Sequence, residues 1–307
     1  MSTEVNTRSN TPGGTAMLGG RQVARIGFGA MQLPGPSVWG PPRDRKTALA
    51  VLRRAIELGV NHIDTAQFYG DGISNELIHA ALHPYPEDLV LVSKVGANRD
   101  EQGGWIPAQH PNQLRAGVEA NLRSLAVEQI GVVNLRVMDA QHDGSPVPDE
   151  HLANLDDQLA EMVKLRDEGK IGGIGLSNVS LDQLRQALPA GIECVQNAYS
   201  VLDRSAEPLL KLCEAHDVAW VPFFPLGSAF PGIAKVTEHP DIIETASKLG
   251  ATPAQVGLAW LLAHSPKTLL IPGTSSPDHL AENVAVADVH LDSGTMDILN
   301  GLADQAG

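Results

Sequence analysis

Eight short apolar segments, each separated from the next by a stretch with helical spacing, constrain this chain more than any other feature. They are RIGFGAM (25–31), VNHID (60–64), LVLVSKV (89–95), VVNLRVM (132–138), IGGIGLS (171–177), IECVQN (192–197), VAWVPF (218–223) and TLLIPG (268–273). Their length and β-branched content read as strands. Residues 45–59 carry apolar side chains at 49, 52 and 56, continued at 60, and reach Gly59 as a helix stop. Segments 74–82, 111–126, 150–168, 180–188, 205–216 and 278–287 read as helices in the same way; two more lie near 240–264 and a last one near 293–303. Strands that alternate with helices make a parallel sheet, and eight such units close a TIM barrel. The expected class is therefore α/β, a (β/α)8 TIM barrel. Gly19-Gly20 between two strand-like pieces predicts a small β-hairpin ahead of it. Residues 1–16, rich in Ser, Thr and Asn, read as a disordered tail. Residues 17–307 then form one domain, since barrels of roughly 250 residues fold as a unit.

Several classes of function fall away. A Rossmann domain needs GxGxxG between a strand and a helix, and both Gly27-Phe28-Gly29 and Gly173-Ile174-Gly175 lack the third glycine. A net charge of −14 with no basic face argues against nucleic acid as a partner. No apolar run approaches the ~20 residues of a membrane span. The polar start has no apolar core of a signal peptide, so a cytoplasmic location is expected. Cys194 and Cys213 are too far apart for a redox or zinc motif and read as buried thiols. His79 and His83 have an i, i+4 spacing but no third ligand in sight, so they read as surface helix residues and no metal site is expected.

Catalytic groups of a TIM barrel sit at the C-terminal ends of its strands. The second segment ends HIDTAQFYG, giving Asp64 and Tyr69, and the third ends VSKVG, giving Lys94. A carbonyl that accepts hydride needs a proton for its developing alkoxide. A tyrosine hydroxyl is a reluctant acid, and a nearby ammonium favours its ionised form. A buried carboxylate would hold that lysine charged and in place. An ordinary buried Asp–Lys pair beside a surface tyrosine accounts for the spacing equally well.

These strings resemble the aldo-keto reductase family. GVNHIDTAQFYG matches its signature around the catalytic tyrosine, Lys94 falls where its lysine falls, and the resemblance runs from about Met17 to about Leu302. It implies a carbonyl reductase that uses NADPH on a small aldehyde or ketone. Ser177 and Asn178 in GLSN, with Gln196 one strand later, would bind the nicotinamide carboxamide. Phe223 in FFPLGS would stack on the nicotinamide, Leu226 and Ser228 would line the pyrophosphate, and Gly29 and Met31 would touch the cofactor after the first strand. IPGTSSPDHLAEN resembles the family's adenosine-phosphate motif. Its Gly273, Thr274 and Ser275 lead into a helix at Pro277, a hydroxyl-rich helix start that suits the 2′-phosphate. His279 stands where many relatives carry arginine, and Glu282 and Asn283 would touch adenine.

One departure bears on the substrate. Relatives commonly place histidine at the end of the fourth strand, where this chain has Arg136. Arginine cannot act as an acid but can donate hydrogen bonds to a substrate oxygen; pairing with Asp139 is the structural alternative. Trp39 and Trp105 are expected to wall the substrate pocket, and Phe28 suits either pocket or core. The strings MQLPGPSVWGPPRDR, VVNLRVMD and VPFFPLGS look similar to a bacterial branch of the family that reduces pyridoxal to pyridoxine. A reductase of a secondary-metabolite pathway and a cofactor-sensing regulatory subunit on the same scaffold stay open.

Overall fold

The computed structural model describes residues 11–139, 146–227 and 233–303. β1 (Thr15–Leu18) and β2 (Arg21–Ala24) pair antiparallel about Gly19 and Gly20. Both glycines have positive φ, 58° and 70°, as a two-residue hairpin turn of matching twist requires. The disordered tail expected over 1–16 is therefore too long. Thr15 and Ala16 belong to β1, and residues 12–14 are tied down: Pro12 O and Gly14 O accept from Ile26 N and Arg25 N at 3.2 and 2.9 Å. Residues 1–10 lie outside the described residues.

The barrel follows. Its strands are β3 (Phe28–Gly29), β4 (His62–Asp64) and β5 (Val90–Arg99); an antiparallel partner of β5, β6 (Trp105–Ala108), stands off the ring. β7 (Ile130–Arg136), β8 (Ile171–Ser177), β9 (Ile192–Gln196) and β10 (Ala219–Trp220) continue it, every neighbouring pair parallel. The segment 268–273 is not a regular strand. It closes the ring by single parallel bridges, Thr268 to Trp220 and Leu270 to Ile26. Leu270 N donates to Arg25 O and Gly27 N to Leu270 O, both at 2.8 Å. Pro272 has no N–H with which to extend the ladder.

The helices are α1 (Arg45–Glu57), α2 (Ile73–Leu82), α3 (Pro111–Leu125), α4 (Leu155–Asp167), α5 (Leu181–Ala187) and α6 (Glu207–Ala215). α7 (Pro240–Leu249), α8 (Pro253–His264), α9 (Pro277–Val284) and α10 (Ser293–Asn300) complete the set. The helix expected from residue 150 begins at Leu155, because the Asn154 side chain caps it by accepting from Asp156 N at 2.8 Å. Outward-facing strand residues such as Ile63, Leu91, Val133 and Val195 pack beneath the helices, and Phe28 is fully buried among them, which assigns it to the core. Among the described residues no helix is long and apolar enough to cross a membrane.

Inside the ring the side chains lie in layers. Leu18 and Val23 of the hairpin plug the lower end against Val90, Val92, Val132, Ala219 and Leu269. The next layer is polar and makes room for itself with glycine. His62 occupies the space at Gly27, where a Cβ would stand 2.1 Å from its Nε2, and Asn134 likewise fills the space at Gly175. Cys194 and Cys213 are both buried and unlinked.

His62 is 1% exposed, and neither ring nitrogen has a hydrogen-bond partner. Burial lowers its pKa from 6.5 to about 4, with the nearby Leu270 carbonyl offsetting only part of that. The unfolded chain binds this proton from pH 6.5 downward and the folded chain only near pH 4. Folding stability is therefore whole above pH 6.5 and falls as pH drops toward 4, by about 3 kcal/mol from this group. Urea titrations of wild type and His62→Leu at pH 7 and pH 4 should give a stability difference between the two proteins that changes by about this amount. A pH-independent difference would contradict a neutral buried His62.

Candidate active site

The upper layer, at the C-terminal strand ends, holds an ion pair. Asp64 ends β4, Lys94 lies on β5 two residues beyond the partner of Asp64, and Gln196 ends β9. The Lys94 Nζ donates to Asp64 Oδ1 in a short contact and to the Thr65 carbonyl at 3.2 Å. Gln196 Nε2 donates to Asp64 Oδ2 at 2.7 Å. All three side chains are buried, Lys94 at 5% exposure and Asp64 at 3%. Burial alone would push the Lys94 ammonium down. The adjacent Asp64 carboxylate and then Tyr69 together outweigh it and hold the pKa above its ordinary value. The Nζ lies 5.1 Å from the centre of the Tyr69 ring, so Asp64, Lys94 and Tyr69 lie together.

Tyr69 is carried by the loop after β4. Its amide donates to Ala66 O at 3.0 Å, and the next amide, Gly70 N, donates to Val38 O at 3.0 Å. Beneath the loop runs a polar network that sequence reasoning passed over. Thr65 Oγ1 donates to Asn75 Oδ1 at 2.8 Å, and Asn75 Nδ2 donates to Gln67 Oε1 and Asn121 Oδ1, both at 2.9 Å. These residues stand among apolar neighbours on α2 and α3, and three of them, Thr65, Asn75 and Asn121, are fully buried. Polar side chains on the inner faces of amphipathic helices were the available signal.

Arg136 at the end of β7 stands beside Ser177 and Phe223. Its Nη1 reaches Ser177 Oγ at 3.4 Å, and its guanidinium carbon lies 5.9 Å from the Phe223 ring centre. It does not pair with Asp139, whose carboxylate accepts from Gln183 Nε2 at 2.9 Å. Ser177 and Gln196 are register partners across β8 and β9, and the Asn178 amide donates to Gln196 O at 2.9 Å. Ser177, Asn178 and Gln196 thus form one cluster, and the Gln196 Oε1 is buried without a partner. Gly29 and Gly273 are placed by barrel closure: a Cβ at Gly29 would stand 2.4 Å from Ile271 O, and one at Gly273 would stand 2.6 Å from Gly29 O. Met31 is half-buried against the Phe68–Tyr69 cluster, and Leu226 is half-buried in the loop after β10. Ser228 lies outside the described residues.

The string 273–283 sits at the start of α9, as expected, but it is largely self-capped. Thr274 Oγ1 accepts from Ser276 N at 3.0 Å and Ser276 Oγ from His279 N at 3.4 Å. Pro277 has no N–H, and Asp278 adds a negative charge to the first turn. Ser275, His279 and Glu282 are exposed and Asn283 is half-exposed. Two of its first amides, Ser276 N and His279 N, are thereby already engaged, while the Ser275 and His279 side chains face solvent.

The roof of the site contains Trp39 and Trp105, both half-exposed, with Trp105 edge-on to Phe68 at 5.2 Å. What joins them is Arg99, another residue the sequence did not single out. β5 runs on past residue 95 to Arg99 and turns back as β6, so the cation lies 3.7 Å from the Trp105 ring centre and 5.7 Å from that of Trp39. Its nitrogens donate to Phe68 O and Val38 O, both at 3.0 Å, and to Gly103 O at 2.6 Å. One side chain thus ties together the loops after β3 and β4 and the β5–β6 turn. Gly103 and Gly104 make the turn, with Asp100 Oδ1 accepting from Gly104 N at 2.6 Å. Arg99→Met should speed amide hydrogen exchange at Tyr69, Gly70 and Gly103 by about 10- to 100-fold, the loss of charged hydrogen bonds. Faster exchange confined to residues 100–104 would contradict a clamp on three loops.

Residues 25–304 match the model of the aldo/keto reductase family. The chain is 44% identical over 290 residues to pyridoxine 4-dehydrogenase of Escherichia coli K12, covering 94% of this chain and 98% of that protein. It is 37% identical over 287 residues to an uncharacterized oxidoreductase of Schizosaccharomyces pombe, covering 91% and 87% of the two chains. An aldo/keto reductase from Klebsiella pneumoniae, solved with NADP and acetate, superposes with a TM-score of 0.76 at 28% identity and covers 94% of this chain and 95% of its own. The chain belongs to the aldo/keto reductase family.

Proposed function

We propose that this protein reduces an aldehyde with NADPH, that pyridoxal is its substrate and pyridoxine its product, and that Tyr69 is the proton donor. The observation that carries the chemistry is the buried Asp64–Lys94 pair with its ammonium 5.1 Å from the Tyr69 ring. Pyridoxal is favoured by the 44% identity, over nearly the whole of both chains, to a pyridoxine 4-dehydrogenase.

The residues at the mouth fit a nicotinamide cofactor. A carboxamide offers both donors and an acceptor, and the buried, unpartnered Gln196 Oε1 lacks a donor. Ser177 and Asn178 stand beside it, and Phe223 offers a ring face. Thr274, Ser275 and His279 would hold the 2′-phosphate, and Glu282 and Asn283 the adenine. When bound, the reduced nicotinamide supplies the hydride. The carbonyl carbon gains that hydride, and the carbonyl oxygen takes its proton from the Tyr69 hydroxyl. Lys94 keeps a positive charge beside the phenolate so formed, which regains a proton from solvent. Asp64, itself held by Gln196, and the Thr65 carbonyl fix the Lys94 ammonium so that no reorganisation is needed when the charge develops. Trp39 and Trp105 cover the site from the roof.

Steady-state assays with pyridoxal and NADPH should give multiple turnovers. Tyr69→Phe should lower kcat by about 10²- to 10⁴-fold, the range for general acids, with little change in the Kd of NADPH. A single slow turnover by wild type, or a Tyr69→Phe variant as fast as wild type, would contradict the proposal.

A further inference from the structure

Arg136 is the one cation of the site whose charge the protein leaves unanswered among the described residues. Arg99 is capped by three carbonyls, and Lys94 is neutralised by Asp64. Elsewhere, Arg115 is gripped by Glu161 and Glu168 and Arg25 by the carbonyls of Leu262, Ser265 and Thr268. Arg136 has only a long 3.4 Å contact to Ser177 Oγ and the face of Phe223. The chain carries 36 acidic side chains, yet among the described residues none pairs with this guanidinium. Burial pushes its pKa down, with Tyr69 offsetting part of that. Arginine nonetheless stays charged at working pH. Arg136 is half-buried, and a half-buried cation with no carboxylate beside it is placed to take an anionic partner from outside the chain.

Position narrows the partner. Arg136 is the register partner of Ser177, at the end of the site that holds Gln196, and it lies within the field of Tyr69, where the carbonyl oxygen must come. The helix start at 274–279, suited to the cofactor's phosphate, is supplied by a different element, α9. The guanidinium fork offers parallel donors, suited to two oxygens side by side.

We propose that Arg136 forms an oxyanion subsite for the substrate, holding the carbonyl oxygen together with an ionisable hydroxyl on the neighbouring ring carbon, so that the enzyme selects ortho-hydroxy aromatic aldehydes. The inference rests on the aldehyde-reductase reading above and specifies its substrate class; pyridoxal, with a ring hydroxyl beside its aldehyde, is one member.

The test measures kcat/KM with NADPH for 2-hydroxybenzaldehyde, 4-hydroxybenzaldehyde and benzaldehyde. Wild type should favour the ortho isomer by about tenfold or more over the other two. Arg136→Leu should lower kcat/KM for the ortho isomer by about 10- to 100-fold more than for benzaldehyde, which loses only the hold on its carbonyl oxygen. Arg136→Lys, which keeps the charge but not the fork, should show an intermediate preference, and it decides the matter if the leucine variant has lost its far-UV circular dichroism. No ortho preference in wild type, equal losses on all three aldehydes, or a lysine variant equal to wild type would overturn the proposal. A rise in the Kd of NADPH on Arg136→Leu, read by fluorescence, would also overturn it by placing Arg136 on the cofactor. Ortho selectivity with no turnover of pyridoxal would sink the pyridoxal reading alone and leave the subsite standing; turnover of pyridoxal with no ortho preference would do the reverse.

Discussion

The ion pair between Asp64 and Lys94 is the interaction on which the rest of the site depends. Each charge gives up several kcal/mol of hydration on burial. Their attraction, the Thr65 carbonyl and the Gln196 amide together offset that loss. The arrangement exists only because the barrel is closed. Asp64 and Lys94 come from adjacent strands, but Gln196 reaches Asp64 from 132 residues further along the chain. Opening the ring would leave a buried carboxylate half-satisfied and a lysine without its orienting partner.

Closure in turn rests on thin connections. β3 and β10 are two residues each, and the segment between them joins by single bridges. What makes the ring firm is the filling inside it, apolar at the hairpin plug and polar where His62 and Asn134 occupy the space that Gly27 and Gly175 leave open. The packing of the lower layers thus sets the floor on which the ion pair stands. Above it the order is different in kind. The Tyr69 loop is tied by hydrogen bonds from Arg99 and by the Asn75 network, and the two tryptophans pack on the Arg99 guanidinium beside a small apolar cluster of Phe68, Tyr69 and Met138 that is separate from the main core.

Much of this was legible in the chain. Helix periodicity, the alternation of elements and the strand-end positions of Asp64, Ser177 and Gln196 follow from local pattern, because a barrel repeats one unit with strict spacing, whereas β5 runs on past Lys94 to Arg99. The misses are non-local. Residues 268–273 look like a strand by composition, yet pair by only one bridge on each side, since what they pair with is fixed by ring geometry. The tail expected up to residue 16 is polar in sequence but is anchored from Pro12 onward by backbone bonds to the start of the barrel. Arg99 could not be read as a clamp because its partners, at 38, 68 and 103, are brought together only by the fold. The helix start at Thr274 was legible, and two of its amides are taken up by its own hydroxyls.

The central claim is that Asp64 and Lys94 act as one unit on Tyr69. A double-mutant cycle on kcat, using Asp64→Asn, Lys94→Met and the pair, tests it most directly. If the two act as a unit, the double variant loses no more activity than the worse single variant, and it melts above Lys94→Met because it no longer buries an unpaired carboxylate. Losses that multiply, with no recovery of thermal stability in the double variant, would contradict the account.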